Sequence, residues 1–370
     1  MKKTTRLTAA FAAAMLLLTG AGCSGSSEAQ TTTTAATTTT AETTTAAPET
    51  TTTQETTTAA PETTTTTEAE TQAPAAVPES VNIAALKGPT AMGMIKFMDD
   101  QSASDVTNYE FEIYAAPDEL TPKIIQGAVD FACIPANLAS VLYNKTEGEV
   151  EVLAVNTLGV LYIVENGGES INSMEDLHGK TIYASGQGST PEFALNYLLA
   201  QNGIDDVTIE WKSEHAECVT AITAGEGGIA MLPQPFVTTA MTKNEGIRVA
   251  LDLTEEWDKL DNGSSLLTGV VVGRKEFIDA YPDAVKEFMD NYRDSVAYVN
   301  SDTDGAAALI GKYDIVPEAV AKKALPACNI VFIEGSEMKE KLSGYLQVLF
   351  DSLATSVGGK LPDNDFYYGA

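Results

Sequence analysis

Apolar and polar positions alternate along most of this chain in short blocks of two kinds. Val81 to Leu86 is a compact apolar run of strand length, broken by Gly88-Pro89-Thr90. Met92, Ile95, Phe97 and Met98 then recur at helical spacing. Phe111 to Tyr114 predicts a second strand, Glu119 to Gln126 a short amphipathic helix stopped by Gly127, and Phe131 to Ile134 a third strand. Val150 to Val155 and Val160 to Val164 are further apolar runs. Thr181 to Ala184 predicts a strand and Pro191 to Gln201 a helix with Gly203 as its stop. The alternation continues with a strand at Val207 to Trp211, a helix near Ala216 to Thr223, and strands at Gly228 to Leu232 and Arg248 to Leu251. Leu266 to Val272 is apolar again, and helical patterns dominate from Glu276 onward. Strands alternating with helices predict an α/β fold whose sheets are parallel and covered on both faces.

The first 80 residues follow a different pattern. Lys2, Lys3 and Arg6 precede a 13-residue apolar stretch, Leu7 to Thr19. A membrane-spanning helix needs about 20 residues, so this stretch reads as the core of a signal peptide, residues 1–22. It ends in Gly20-Ala21-Gly22-Cys23, which resembles the lipobox of bacterial lipoproteins, with Gly20 where Leu is usual. That resemblance implies lipidation of Cys23; ordinary cleavage with Cys23 as a bystander is the alternative. Residues 23–79 then read as a disordered tether. Between 24 and 78 there is no Lys, Arg, Leu, Ile, Phe, Tyr or Trp, and Glu42 to Thr53 recurs at Glu55 to Thr66. Such a stretch buries too little apolar surface to offset its chain entropy. As a flexible coil it spans roughly 40 Å.

Of the 370 residues, 22 are basic and 52 acidic, a formal net charge of −30. Most of the excess lies in the folded part, because residues 24–78 hold only seven acids, from Glu28 to Glu70. This balance excludes nucleic acid as a partner and electrostatic docking on anionic lipid. With two histidines, His178 and His215, a histidine-rich metal site is excluded as well.

Two loops join a strand to a helix through small residues: Leu86 to Met92, and Ala184 to Glu192. In the second, Thr190 suits an N-cap and Pro191 the first helical position. Ligands of open α/β sheets bind at the carboxyl ends of the strands, where helix N–H groups are free. Gly186-Gln187-Gly188 is not a dinucleotide fingerprint, since Pro191 stands at the third glycine position.

Four segments carry a family resemblance over residues 80 to about 360. They are Gly127-Ala128-Val129-Asp130-Phe131-Ala132-Cys133-Ile134 with Ala139; Asp176-Leu177-His178-Gly179-Lys180-Thr181-Ile182; Ala224-Gly225-Glu226-Gly227-Gly228-Ile229-Ala230 leading to Gln234-Pro235-Phe236; and Tyr281-Pro282-Asp283-Ala284-Val285 with Phe288. Together they resemble the substrate-binding proteins of ABC importers, in the nitrate/taurine/sulfonate branch with its thiamine-pyrimidine-synthase-like relatives. Gly228 and Gln234 depart from the family's usual Asp and Glu, which bears on the ligand rather than the fold.

The resemblance implies a two-lobed periplasmic-binding-protein fold (type II), with lobe 1 from residues 80–163 and 270–370 and lobe 2 from 164–269. It implies crossing strands near Leu161–Gly167 and Leu267–Gly273, a ligand cleft between the lobes, hinge closure on the ligand, and permease and ATPase subunits as partners. Strand ends then nominate Pro89, Thr90, Ala91, Met92, Asn137, Asn156, Thr157 and Leu158 from lobe 1, and Gln187, Ser189, Thr190, Gln234 and Pro235 from lobe 2. Asn137 has a competing reading as a helix cap, and Met92 as core. No cofactor is expected.

A sulfonate or nitrate site would benefit from Arg, but past residue 22 only Arg248, Arg274 and Arg293 exist, none in a candidate loop. A neutral, zwitterionic or heterocyclic small molecule is therefore expected. The expected role is an extracytoplasmic, lipid-anchored solute-binding protein without enzymatic activity. A cell-surface adhesion or sensing module is the alternative, and a pyrimidine-synthase-like enzyme a further one. The enzyme would need a placed His and metal-spaced Cys, whereas His178 and His215 read as surface residues and Cys133, Cys218 and Cys328 are scattered.

Overall fold

The computed structural model describes residues 77–102, 109–225 and 227–370. The signal peptide, Cys23 and nearly all of the tether lie outside the described residues.

The chain builds β1 (Val81–Leu86), α1 (Pro89–Met92), α2 (Ile95–Ser102), β2 (Tyr109–Tyr114), α3 (Pro117–Ile125), β3 (Phe131–Pro135), α4 (Ala136–Lys145) and β4 (Val150–Leu158). After two residues it enters β5 (Leu161–Asn166), then β6 (Thr181–Ser185), α5 (Thr190–Gln201), β7 (Thr208–Lys212), α6 (His215–Ala224), β8 (Gly228–Pro233), α7 (Phe236–Lys243), β9 (Ile247–Asp252) and α8 (Leu253–Asp258). It closes with β10 (Leu267–Arg274), α9 (Lys275–Ala280), α10 (Pro282–Ser301), α11 (Thr303–Lys312), α12 (Glu318–Ala324), β11 (Ile330–Ile333) and α13 (Gly335–Ser352).

These strands form two sheets, ordered β11-β4-β10-β3-β1-β2 and β7-β6-β8-β5-β9. Both are mixed, which corrects the expectation of parallel sheets. β1, β2 and β3 run parallel in the first sheet, and β6, β7 and β8 in the second. β10 runs antiparallel between β3 and β4, and β5 antiparallel between β8 and β9. Strand-helix alternation reports the βαβ units but is blind to strands inserted without a crossover helix. β11 was also unforeseen: four residues embedded among helices, pairing with β4 across more than 170 positions of sequence.

Three apolar cores follow. One packs α1, α2 and α9–α12 against the outer face of the first sheet, with Phe131 stacked on Phe288 at 3.9 Å. A smaller one packs α6 and α7 against the second sheet. The third is shared: Leu86, Ile134 and Val270 of the first sheet join Leu161, Ile163 and Ile182 of the second, with Leu195, Trp257, Tyr345 and Leu346. Helix α13 thereby packs against α5, so apolar burial ties the two halves together.

Candidate ligand-binding cleft

The parallel strands aim their carboxyl ends at one gap. Leu86 ends β1, Ala115 and Pro117 follow β2, and Pro135 ends β3. From the other sheet come Ser185 at the end of β6, Ser213 to His215 after β7, and Pro233 at the end of β8. The inserted strands contribute their starts, Thr268 of β10 and Leu161 of β5. These residues enclose a cavity of about 60 Å³. A second cavity of about 210 Å³ adjoins it, sharing Lys87, Ala115, Glu214 and His215, and extends to Phe236, Lys243 and the Asp314–Pro317 loop.

Both small-residue loops reach this cleft. Pro89 and Thr90 line it from the first, and Gly186, Ser189 and Pro191 from the second. Their hydroxyls are already used locally: Thr90 Oγ1 donates to Leu86 O at 2.9 Å, and Ser189 Oγ to Gly186 O at 2.7 Å. Helix α5 starts at Thr190 with Ser189 as N-cap, one residue earlier than the sequence suggests, and Glu192 folds back to accept from Gly188 N at 2.5 Å.

The other candidate residues sit elsewhere. Ala91 and Met92 are wholly buried in the outer core. Asn137 and Thr190 are wholly buried beside the cleft and bond each other: Thr190 Oγ1 donates to Asn137 Oδ1 at 3.2 Å, and Asn137 Nδ2 donates to Ser356 O at 3.0 Å. Asn137 does not cap α4. Asn156 and Thr157 are buried in β4, where Asn156 Nδ2 donates to Tyr292 Oη at 3.2 Å and Thr157 Oγ1 to Asn156 Oδ1 at 3.0 Å. They crowd Gly269, where any Cβ would come within 2.5 Å of Asn156 Oδ1. Leu158 is half-buried at the strand end, and Gln187 is exposed on its turn. Gln234 has a structural role the sequence did not disclose: its Oε1 accepts from Thr238 Oγ1 at 2.9 Å and Thr238 N at 3.3 Å, holding the first turn of α7. Pro235 is buried behind a cis peptide bond.

Two cleft groups were missed. Thr268 Oγ1 is buried and has no hydrogen-bond partner among the described residues. An unpaired buried hydroxyl is costly, and this one lines the cavity. His215 lines both cavities, which corrects its reading as a surface residue. Its Nδ1 shares a 2.6 Å hydrogen bond with Ser185 Oγ, and its ring lies 5.0 Å from that of Phe236. Burial disfavours the charged ring and lowers its pKa from 6.5 to about 4, so the imidazole is neutral at pH 7. His178 does sit on the surface, 2.8 Å from Asp206. The end of β6 made Ser185 findable from sequence; nothing in an apolar run such as Leu266 to Val272 singles out Thr268.

The three arginines past residue 22 are engaged elsewhere. Arg248 pairs with Glu165 at 2.7 Å, Arg274 with Asp130 at 2.7 Å, and Arg293 with Asp290 at 2.6 Å. Cys133, Cys218 and Cys328 are free and buried. Among the described residues no group of His, Cys, Asp and Glu could hold a metal ion, and no helix is long and apolar enough to cross a membrane.

Comparison with known proteins agrees with this architecture. An ABC transporter from Parabacteroides distasonis superposes with a TM-score of 0.65 at 22% identity, covering 78% of this chain and 98% of that one. The periplasmic aliphatic sulphonate binding protein SsuA from Escherichia coli gives 0.64 at 15% identity, covering 79% and 92%. The alkanesulfonate-binding SsuA from Xanthomonas axonopodis pv. citri, bound to MOPS, gives 0.62 at 17% identity, covering 78% and 96%. At these identities the likeness speaks to the fold, which is that of periplasmic binding proteins. No curated protein matches the sequence. A family profile described as NMT1/THI5 like matches residues 110–306, more than half of the chain. The chain therefore belongs to the NMT1/THI5-like family, as the four sequence segments anticipated.

Proposed function

We propose that this protein is an extracytoplasmic solute-binding protein that captures a small molecule in the cleft and delivers it to an ABC importer. The observation that carries the reading is the convergence of six parallel strand ends, three from each sheet, on a cavity lined by a hydroxyl without a partner among the described residues, Thr268 Oγ1. A ligand group bonding that oxygen would satisfy it.

We take lobe 1 as about residues 80–163 with 270–370 and lobe 2 as about 164–269, although β5 pairs from Leu161 within the second sheet and β10 from Leu267 within the first. The ligand touches both, so binding stabilises the closed arrangement over an open one, and the importer's membrane subunits read the closed form. The signal peptide directs export and is removed, and a lipid on Cys23 and the Thr-rich tether then hold the domain at the outer face of the membrane. The ligand is a neutral, zwitterionic or heterocyclic molecule rather than a sulfonate, a preference supported by the engagement of Arg248, Arg274 and Arg293 in other ion pairs. The protein performs no chemistry on it.

The test is a thermal-unfolding screen of the full chain against amino acids, pyrimidines, vitamins, sulfonates and nitrate. A ligand present at 100 times its dissociation constant adds about 2.7 kcal/mol, a shift of several degrees. Silence across the whole screen overturns the solute-binding reading; a response to sulfonates alone overturns the ligand preference.

A further inference from the structure

The smaller cavity carries one basic and one acidic side chain, one on each half, while Lys243 and Asp314 line only the larger one. Lys87 follows β1 of the first sheet, Glu214 follows β7 of the second, and both line both cavities. Among the described residues they do not pair with each other. Lys87 Nζ instead lies 3.7 Å from the fully exposed carboxylate of Asp314, a loose contact that solvent screens. Glu214 stands at the N-cap position of α6 without using its side chain as a cap, at the helix end that favours an anion. The remaining walls of the smaller cavity are uncharged: Pro89, Pro117 and Pro191 offer rigid apolar faces, and His215 is a neutral ring backed by Phe236.

Resting on the solute-binding reading, we infer that the ligand is a small zwitterion, whose anionic group meets Lys87 and whose cationic nitrogen meets Glu214. Opposite charges held on opposite halves reward a molecule that carries both. Glu214 is exposed and Lys87 half-buried without ligand, so each ion pair gains strength as ligand and closing halves exclude water from it. A dipolar ligand thus links the halves and favours closure, whereas a singly charged analogue engages one half and leaves the opposing charge unpaired. The same pair discriminates against simple anions such as sulfonates, which bring a negative charge toward Glu214.

The experiment is titration calorimetry on the full chain with the twenty amino acids, followed by the amide and the N-acetyl derivative of the best binder, and a parallel panel of uncharged pyrimidines. The expected result is one amino acid that binds at least tenfold more tightly than either of its singly charged derivatives. Lys87→Met and Glu214→Gln should each erase that margin, the first sparing the amide and the second sparing the N-acetyl form. The exchange Lys87→Glu with Glu214→Lys should recover part of the zwitterion affinity, which a merely structural role for either residue would not do. Tight binding of an uncharged pyrimidine with no amino acid response overturns the inference and leaves the solute-binding reading standing. So does zwitterion binding that both single variants leave within twofold. Silence from both panels counts against the inference and the reading alike.

Discussion

Thr190 Oγ1 donates to Asn137 Oδ1 across 3.2 Å, although 53 positions separate them and each follows a strand of a different sheet. Both side chains are fully buried. The bond fastens α5 to α4. Thr190→Val keeps the shape but leaves Asn137 Oδ1 without a donor, at a cost of about 1–3 kcal/mol. Urea unfolding should register that loss, and small-angle scattering should register a larger mean radius of gyration without ligand. An unchanged radius would show that the bond has no part in holding the halves together.

Thr268 offers the opposite experiment. Its hydroxyl is buried without a partner among the described residues, so Thr268→Val removes an unsatisfied group and replaces it with a methyl of similar size. The ligand-free protein should be as stable as the parent or more stable by about 1 kcal/mol. Stabilisation by the cleft ligand should fall at the same time. Equal ligand-induced shifts in parent and variant would remove Thr268 from the binding site.

His215 should make stability depend on pH below neutrality. The unfolded imidazole takes up its proton near 6.5 and the native one near 4, because burial opposes the charge. Between those values the unfolded chain holds more protons, so stability is full above 6.5 and declines as the pH falls toward 4. The share owed to this residue is on the order of 2 kcal/mol after allowance for its partial exposure. Subtracting the urea-unfolding profile of His215→Gln from that of the parent should isolate it. Parallel profiles for the two proteins between pH 7 and 4.5 would show that the native ring takes up its proton as readily as the unfolded one.

Gly159 sits in the two-residue passage from β4 to β5. A Cβ there would approach Thr254 Oγ1 to 2.2 Å and Thr254 Cγ2 to 2.9 Å. Gly159→Ala should therefore destabilise by about 1–3 kcal/mol through overcrowding. Thr254→Ala removes a hydroxyl that is itself unpartnered among the described residues and should cost little. Combined, the two substitutions should recover most of the loss, a coupling that a double-mutant cycle measures directly. Simple additivity would place the strain elsewhere.

Much of the architecture was legible from local pattern. Val81–Leu86, Phe131–Ile134 and Thr181–Ala184 read as strands because apolar runs bounded by Gly and Pro have few other solutions, and Gly127 and Gly203 ended their helices as left-handed residues at φ +69° and +71°. The direction of β10 and the pairing of β11 depend on contacts between distant segments, and no window of sequence contains them. The site divided in the same way. Strand ends located Pro89, Thr90 and Ser189, and nearly located Ser185. They also nominated Ala91 and Met92, which the helical turn of α1 rotates into the core. Thr268 and His215 acquire meaning only once two sheets face each other, because each is unremarkable within its own element.

Five prolines border the smaller cavity: Pro89, Pro117, Pro135, Pro191 and Pro233. Their rings have almost no rotamers to exchange, and their φ torsions are locked, so these parts of the lining keep their shape around a guest. A molecule is accepted or refused on its outline, with little entropy spent in ordering the walls. A homologue one methylene too large would meet a hard limit instead of a gradual loss of fit. This steric part of the selectivity survives small changes in temperature and solvent, because it is built into covalent rings, whereas any share owed to Lys87 and Glu214 varies with salt.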